Sequence, residues 1–394
     1  MTFPLPPLTS IPPEIAALTD YEPLARKHLG EQAWAYFAGG AADEITLTGN
    51  RSSFDGIRIV PRVLQDLRGG HTQVNLLGRT FAFPILVAPI AYHRMAHRDG
   101  EMATVLGASA MQAGMVVSTR ASVPLEDLAR NAVAPLWFQL YIQPDRGFTE
   151  ALVHRAEDAG YEALVLTVDA PLNGIRNRMQ RAGFRMPEGV EAVNLRGMAP
   201  PDLRPRTAGE SVAFGPLLDG APTWHDIAWL RSKTKLPVIL KGILSPDDAA
   251  LALKHGCAGI VVSNHGGRTL DTLPPAIEML PEIADRVAGS MPILLDGGIR
   301  RGTDVFKAIA LGAQAVLVGR PCIFGLAVAG AVGVAHVLNI LRAEFEVAMA
   351  LAGCATTRDI RPEHLRLSEA AMESGWRSVP AAATGAPRAG NGPG

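Results

Sequence analysis

The sequence predicts an α/β fold, a (β/α)8 TIM barrel, on three observations. Eight short β-branched apolar runs recur through the middle of the chain, helical patterns separate most of them, and polar residues stand at their C-terminal ends. In order the runs are PILVAPIA (84–91), MVVST (115–119), LWFQLYI (136–142), ALVLTVD (163–169), PVILKG (237–242), GIVVSNHG (259–266), PILLDGG (292–298) and AVLVGR (315–320). Most are near-continuous rather than alternating, which indicates strands buried on both faces, as in a parallel sheet. Helical patterns follow in GEMATVLGASAMQAG, FTEALVHRAEDAG, SPDDAALALKHG and GTDVFKAIALGA. Ser245 supplies N-terminal cap chemistry to the third of these and Gly256 a C-terminal stop. The polar run ends are Thr119, Gln139, Tyr141, Thr167, Asp169, Lys241, Ser263, His265, Asp296 and Arg320. In this fold such ends face the active site.

Residues 1–80 read as an N-terminal arm and helical extension packed on the barrel, helical around Ile15–Phe37 and opened by a proline-rich stretch. Residues 81–375 read as the barrel. Within them, 172–222 is a Pro-, Gly- and Arg-rich insertion of the length expected for a lid. Residues 376–394 are Gly/Pro/Ala-rich and read as a disordered tail.

Composition narrows the function. Apolar residues make up 48% of the 394 and charged residues 19%, enough for a large core and too apolar for a disordered chain. With 37 basic against 38 acidic residues, the net charge of −1 argues against a nucleic-acid surface. Three widely spaced cysteines, Cys257, Cys322 and Cys354, fit neither a disulfide framework nor a zinc site and suit a reducing cytoplasm. No secretory signal is visible at the N-terminus. Pro321 to Leu341 contains no Asp, Glu, Lys or Arg and is long enough to cross a bilayer, but holds His336 and Asn339 and reads as a helix packed inside a soluble protein. His93 and His97 in HRMAH lack the acidic partner of a metalloprotease, and no metal site is expected.

The sharpest cluster is SNHGGRTLD, with Ser263, His265, Arg268 and Asp271. A histidine at a barrel mouth can act as a base near neutral pH, and the arginine can clamp a carboxylate with two parallel hydrogen bonds. The bland alternative is a histidine that only bonds a neighbouring carbonyl. TVDAPLNGIRNR adds Asp169, which beside an imidazole would fix its tautomer, and Arg176, either a second carboxylate ligand or an exposed loop arginine. LDGGIRRG and LVGRP make a phosphate site: glycines such as Gly298 let backbone N–H groups approach an anion, and Arg300 and Arg320 add fixed positive charge. Walker and dinucleotide patterns are absent, which favours a mononucleotide or sugar phosphate. Lys241 could form a Schiff base, place charge beside an electron-rich cofactor, or make a salt bridge.

The segments SNHGGRTLD, LDGGIRRGTDVFKAIALGA and LVGRP, with WFQLYI, LTVD and LPVILKG, closely resemble the FMN-dependent L-2-hydroxy acid oxidases and dehydrogenases, among them glycolate oxidase, lactate oxidase, lactate monooxygenase and mandelate dehydrogenase. The resemblance runs from about Tyr21 to about Ile360. It implies that His265 removes a proton during oxidation of the hydroxy acid, paired with Asp169. Arg176, Arg268 and Tyr21 would hold the substrate carboxylate, and Tyr141 would lie near the substrate hydroxyl. Lys241 would sit beside the N1–O2 edge of the flavin, with Ser118, Gln139 and Thr167 hydrogen-bonding the ring. Ser263 and Asp296 would make further cofactor contacts, and Arg300, Gly319 and Arg320 would bind the FMN phosphate. Ala91 matches a small residue near flavin N5 and points to an oxidase.

Two positions depart from the pattern. Arg120 replaces a large aromatic residue of the substrate side-chain pocket, and Tyr92 replaces a smaller one. Arg120 would tune the pocket toward a polar or anionic side chain, unless it turns to solvent. The resemblance also implies a homotetramer. The segment after the fourth run lacks the long apolar or basic run of membrane-bound relatives, which points to a soluble enzyme without a membrane partner. The charge balance points away from a nucleic-acid partner. Reduced FMN would pass its electrons to O2, giving H2O2, to another acceptor, or into a coupled decarboxylation. Two rivals stand beside this reading: a non-redox phosphate-binding barrel such as a lyase or isomerase, and a silent carboxylate sensor.

Overall fold

A computed structural model describes residues 4–198, 209–211, 213, 214, 218, 220–369 and 372. The eight expected runs form eight parallel strands: β1 (Ile85–Val87), β2 (Met115–Ser118), β3 (Leu136–Leu140), β4 (Leu164–Thr167), β5 (Val238–Ile243), β6 (Gly259–Val262), β7 (Ile293–Asp296) and β8 (Ala315–Val318). They close in sequence order, and β8 returns to β1 with Val316 opposite Ile85. The fold class is therefore the predicted (β/α)8 barrel.

The strands look uniformly apolar because both faces are buried, yet they still alternate. Leu86, Val116, Trp137, Val165, Ile239, Val261, Leu294 and Leu317 fill the barrel interior. Their neighbours, such as Ile85, Val87, Val117 and Phe138, pack outward against the helices. A hairpin, Val74–Leu76 and Arg79–Phe81, closes the bottom. Its Leu76 and Phe81 join the interior layer, and Phe81 meets Trp137 edge-on at 5.9 Å. Leu77 and Gly78, both at positive φ, make the two-residue turn.

Helices follow the expected patterns at Glu101–Ala110, Arg146–Asp158, Pro246–Lys254 and Gly302–Ala310. Ser245 caps the third by accepting from the Asp247 N–H, and Gly256 follows it at φ 70°. The apolar segment after β8 lies within one long helix, Arg320–Ala352, broken at Ala329–Gly330. It is long and apolar enough to cross a membrane, but 72% of its most apolar window is buried inside the protein.

The N-terminal extension carries three helices, α1 (Leu18–His28), α2 (Glu31–Ala38) and α3 (Ile45–Asp55). Sequence patterning missed the third. Asp271 anchors its start by accepting from the N–H groups of Asp43, Ile45 and Thr46. A two-stranded ribbon then pairs Ile57–Ile59 with Leu365–Leu367. The insertion expected at 172–222 is described only in part and holds a short helix, Asn177–Arg181. The tail expected over 376–394 lies outside the described residues.

Candidate active site

A cavity of about 690 Å³ opens at the C-terminal ends of the barrel strands, within the size range of ligand and cofactor sites. The candidate residues converge there because strand ends and the loops that follow them share one face of the barrel.

His265 follows β6. Its own φ is 57°, and Gly266 and Gly267 are also left-handed, so the chain turns sharply and presents the imidazole to the cavity. Strained backbone of this kind concentrates at functional sites. The Ser263 hydroxyl accepts from the His265 N–H at 3.0 Å. Behind the ring, Asp169 Oδ1 lies 2.9 Å from His265 Nδ1. Burial alone would raise the Asp169 carboxyl. The charge and hydrogen bond of His265, with the Lys241 ammonium, outweigh burial and hold it below the usual carboxylate range. A carboxylate at Nδ1 places the ring proton there and leaves Nε2 as the free acceptor.

Lys241, near the end of β5, is 4% exposed and pairs with Asp296 of β7 at 2.8 Å. Its ammonium also donates to Ser263 Oγ at 2.9 Å. Burial would lower the lysine, but the Asp296 and Asp169 charges outweigh it and raise it above its ordinary value. A firmly protonated amine is a poor Schiff-base nucleophile, so of the three uses considered for Lys241 the charged ones fit. Ser263 does not line the cavity as a cofactor contact would. It is buried behind the site and supports Lys241 and His265 instead.

Gln139, Ser118 and Thr167 form a polar row across β3, β2 and β4. Ser118 Oγ donates to Gln139 Oε1 at 3.3 Å, and Gln139 Nε2 donates to Thr167 Oγ1 at 3.1 Å. All three line the cavity, with Ala91 and Tyr141. Burial pushes the Tyr141 hydroxyl pKa up, which keeps it a neutral donor.

Besides Arg120, four guanidinium groups in the cavity wall have no carboxylate partner among the described residues. Arg320 donates only to the carbonyls of Phe37, Gly266 and Gly39, and the Arg300 guanidinium donates to its neighbour's carbonyl. Arg268 donates to the carbonyls of Tyr36 and Gly39. Arg176 reaches only the Met179 sulfur, and its buried Nε has no partner. Burial, followed by the charge of Arg176, drives Arg268 down to about 10, and burial with the charges of Arg268 and Arg300 drives Arg320 well below its ordinary value. Burial likewise lowers Arg176 and Arg300. A guanidinium keeps its proton in a protein, so this unmet cost is a demand for anions. The four form a chain of neighbours, with Arg300 and Arg320 as a first group at one end and Arg176 and Arg268 as a second at the other. Gly319 and Gly298 flank the first group. At Gly298, φ is 83° and a Cβ would land 1.9 Å from the Asn50 carbonyl oxygen. The turn around Arg300 is held by Asp304, which accepts from the Arg300 and Arg301 N–H groups and pairs with Arg51 of α3.

The structure corrects the expectation for Tyr21. That side chain is fully buried on α1, hydrogen-bonds His336 at 2.8 Å and does not reach the cavity. Leu18, Tyr21, Ala25 and His28 form the buried stripe of α1, a core pattern. The tyrosine at the site is Tyr36, near the end of α2. Its ring lies under Arg268 at 5.3 Å and stacks on Phe184 of the insertion at 5.2 Å. The signal for it was AYFAGGA: its paired glycines let the chain run against the His265 turn, where the Ala41 N–H donates to the Gly267 carbonyl at 2.7 Å. Tyr92 and Arg120 both line the cavity.

The family profile for FMN-dependent dehydrogenases matches residues 25–367. The chain is 48% identical to L-lactate oxidase of Nostoc sp. over 357 residues, covering 89% of this chain and 98% of that protein. It is 42% identical to glycolate oxidase 3 of Arabidopsis thaliana, covering 90% and 96% respectively. Among solved structures, mandelate oxidase with benzoyl-formic acid superposes with a TM-score of 0.82 at 42% identity, covering 90% of this chain and 99% of that one.

Proposed function

The chain belongs to the FMN-dependent dehydrogenase family, and from that premise we propose how its site oxidises an L-2-hydroxy acid to the 2-keto acid with O2 as acceptor. FMN is the cofactor, and the site suits it. Two half-buried arginines beside glycine turns could take a phosphate, an amide–hydroxyl row could hydrogen-bond a heterocyclic ring, and a buried ammonium would offer it positive charge. When bound, FMN supplies the two-electron sink that no side chain offers, and O2 carries those electrons onward as H2O2.

The chain's own residues do the rest. Arg176 and Arg268 grip the substrate carboxylate, with Tyr36 alongside, and this grip fixes the reacting carbon in one orientation. Tyr141 donates to the substrate oxygen. His265 accepts a proton at Nε2, and Asp169 stabilises the imidazolium through Nδ1. Lys241 supplies fixed positive charge, with Ser263 and Asp296 holding it in place. Arg300, Arg320 and the backbone at Gly298 and Gly319 would hold the FMN phosphate.

The His265–Asp169 contact carries the reading, because a binding protein has no use for a paired base. Anaerobic addition of L-2-hydroxy acids to the holoenzyme should bleach the flavin, and oxygen should restore its colour with one peroxide formed per keto acid. A flavin that stays oxidised with every acid would overturn the proposal.

We also propose a homotetramer, supported by Leu106 and Val332, which stand exposed on helices that pack together. Light scattering tests it. A cytoplasmic setting without membrane or nucleic-acid partners accords with three buried, unpaired cysteines and a net charge of −1.

A further inference from the structure

The cavity holds one more cation than this chemistry uses. Arg120 follows β2 and lines the cavity beside Tyr92 and Tyr141, with its guanidinium 5.5 Å from the centre of the Tyr141 ring. Among the described residues it has no carboxylate partner and its guanidinium no hydrogen-bond acceptor. Counting charges isolates it. Lys241 is matched by Asp296, and His265 by Asp169. A cofactor phosphate answers Arg300 and Arg320, and one substrate carboxylate answers Arg176 and Arg268. Nothing answers Arg120.

Its position is fixed by a buried network. The Arg120 N–H donates to Ser118 Oγ, and the Arg120 carbonyl accepts from the Tyr92 N–H, both at 3.1 Å. Just beyond, the fully buried Glu101 ties the two loops together. It accepts from the His93 N–H at 3.0 Å, the Ser122 N–H at 2.9 Å and the Ser122 hydroxyl at 2.6 Å. A buried carboxylate bonded to both loops holds Tyr92 and Arg120 in register as one wall of the cavity. An arginine so placed meets the far end of whatever the other two arginines hold by its carboxylate.

We infer that the preferred substrate is an L-2-hydroxy dicarboxylate, whose second carboxylate pairs with Arg120 while its first is gripped by Arg176 and Arg268. The inference rests on the oxidation proposed above and names its substrate class. Arg120 is thus a specificity-determining residue.

The test uses the FMN-loaded enzyme and compares anaerobic flavin reduction by L-malate and L-2-hydroxyglutarate with that by two monocarboxylates, L-lactate and the 4-amide of L-malate. A dicarboxylate should exceed its monocarboxylate counterpart in kcat/KM by about 10-fold or more. Arg120→Leu should collapse that ratio toward one, and Arg120→Lys should keep part of it. Binding of 2-oxoglutarate to the oxidised enzyme, followed by perturbation of the flavin spectrum, should weaken with Arg120→Leu and with added salt. If Arg120→Leu folds poorly, Arg120→Gln and the wild-type ratio carry the same test. Preference for the monocarboxylates, or a ratio unmoved by substitution, overturns the inference and leaves the oxidation standing. Failure of every hydroxy acid to reduce the flavin overturns both.

Discussion

His265 Nδ1 and Asp169 Oδ1 stand 2.9 Å apart although 96 residues separate them in the chain. β4 delivers the carboxylate and β6 the imidazole, and β5 lies between them in the barrel. Gly242 of β5 makes the approach possible, since a Cβ there would fall 2.5 Å from the Asp169 side chain. His265→Ala should slow flavin reduction by about 10⁴-fold, and Asp169→Asn by about 10²-fold or more through loss of the correct tautomer. Both should retain the bound-flavin spectrum. Anaerobic stopped-flow traces check both rates.

The same pair predicts a pH dependence of stability. The folded Asp169 carboxyl lies below its usual range, so ionisation favours the folded state. That contribution is complete above the unfolded value of about 3.9 and is lost as pH falls through the lower folded value. Thermal melts of wild type and Asp169→Asn should therefore differ most near neutrality and converge in acid.

Half-buried arginines without carboxylate partners make the cofactor-free protein pay an electrostatic cost that a phosphate relieves. Arg300→Met should weaken FMN binding by about 100-fold while leaving the melting temperature of the cofactor-free protein unchanged or raised. The stabilisation gained on adding FMN should shrink accordingly. Calorimetry with and without FMN measures both.

Gly298→Ala forces a side chain onto the Asn50 carbonyl at a left-handed position. A loss of about 3 kcal/mol or more in unfolding free energy is expected, with FMN lost from the purified protein. Denaturant titration and the flavin-to-protein absorbance ratio read the two effects.

Tyrosine substitutions separate the two candidates for the carboxylate contact. Tyr36→Phe should raise KM by about 10-fold, the loss of a hydrogen bond to a charged group. Tyr21→Phe should cost about 1 kcal/mol of stability through the lost His336 bond and leave KM unchanged. Steady-state kinetics and melts on both variants decide.

The barrel was legible because its evidence is local. Each strand run and each helical period lies within a dozen residues, and the polar strand ends pointed to a common mouth. The two anion sites were legible because glycine and arginine cluster within short turns. What escaped depends on contacts distant in sequence. α3 lacks a strong apolar period, and its place is set by Asp271, Asn264 and Asp304 from the barrel. Ser263 was visible as a strand-end hydroxyl, but only packing shows it turned behind Lys241. Tyr21 and Tyr36 both lie in the helical extension, and motif position alone favoured the wrong one. The spacing of Leu18, Tyr21, Ala25 and His28 already marked the first tyrosine as core.

The ribbon joining Ile57–Ile59 to Leu365–Leu367 sets a timetable for synthesis. α3, which braces the Arg300 turn through Arg51 and abuts Gly298 through Asn50, leads directly into the first of those strands. Its partner strand leaves the ribosome only after all eight barrel strands have emerged. A nascent chain can thus assemble most of its barrel while the brace behind its phosphate turn is still unfastened, so tight flavin capture waits until the Leu365–Leu367 strand has emerged and paired.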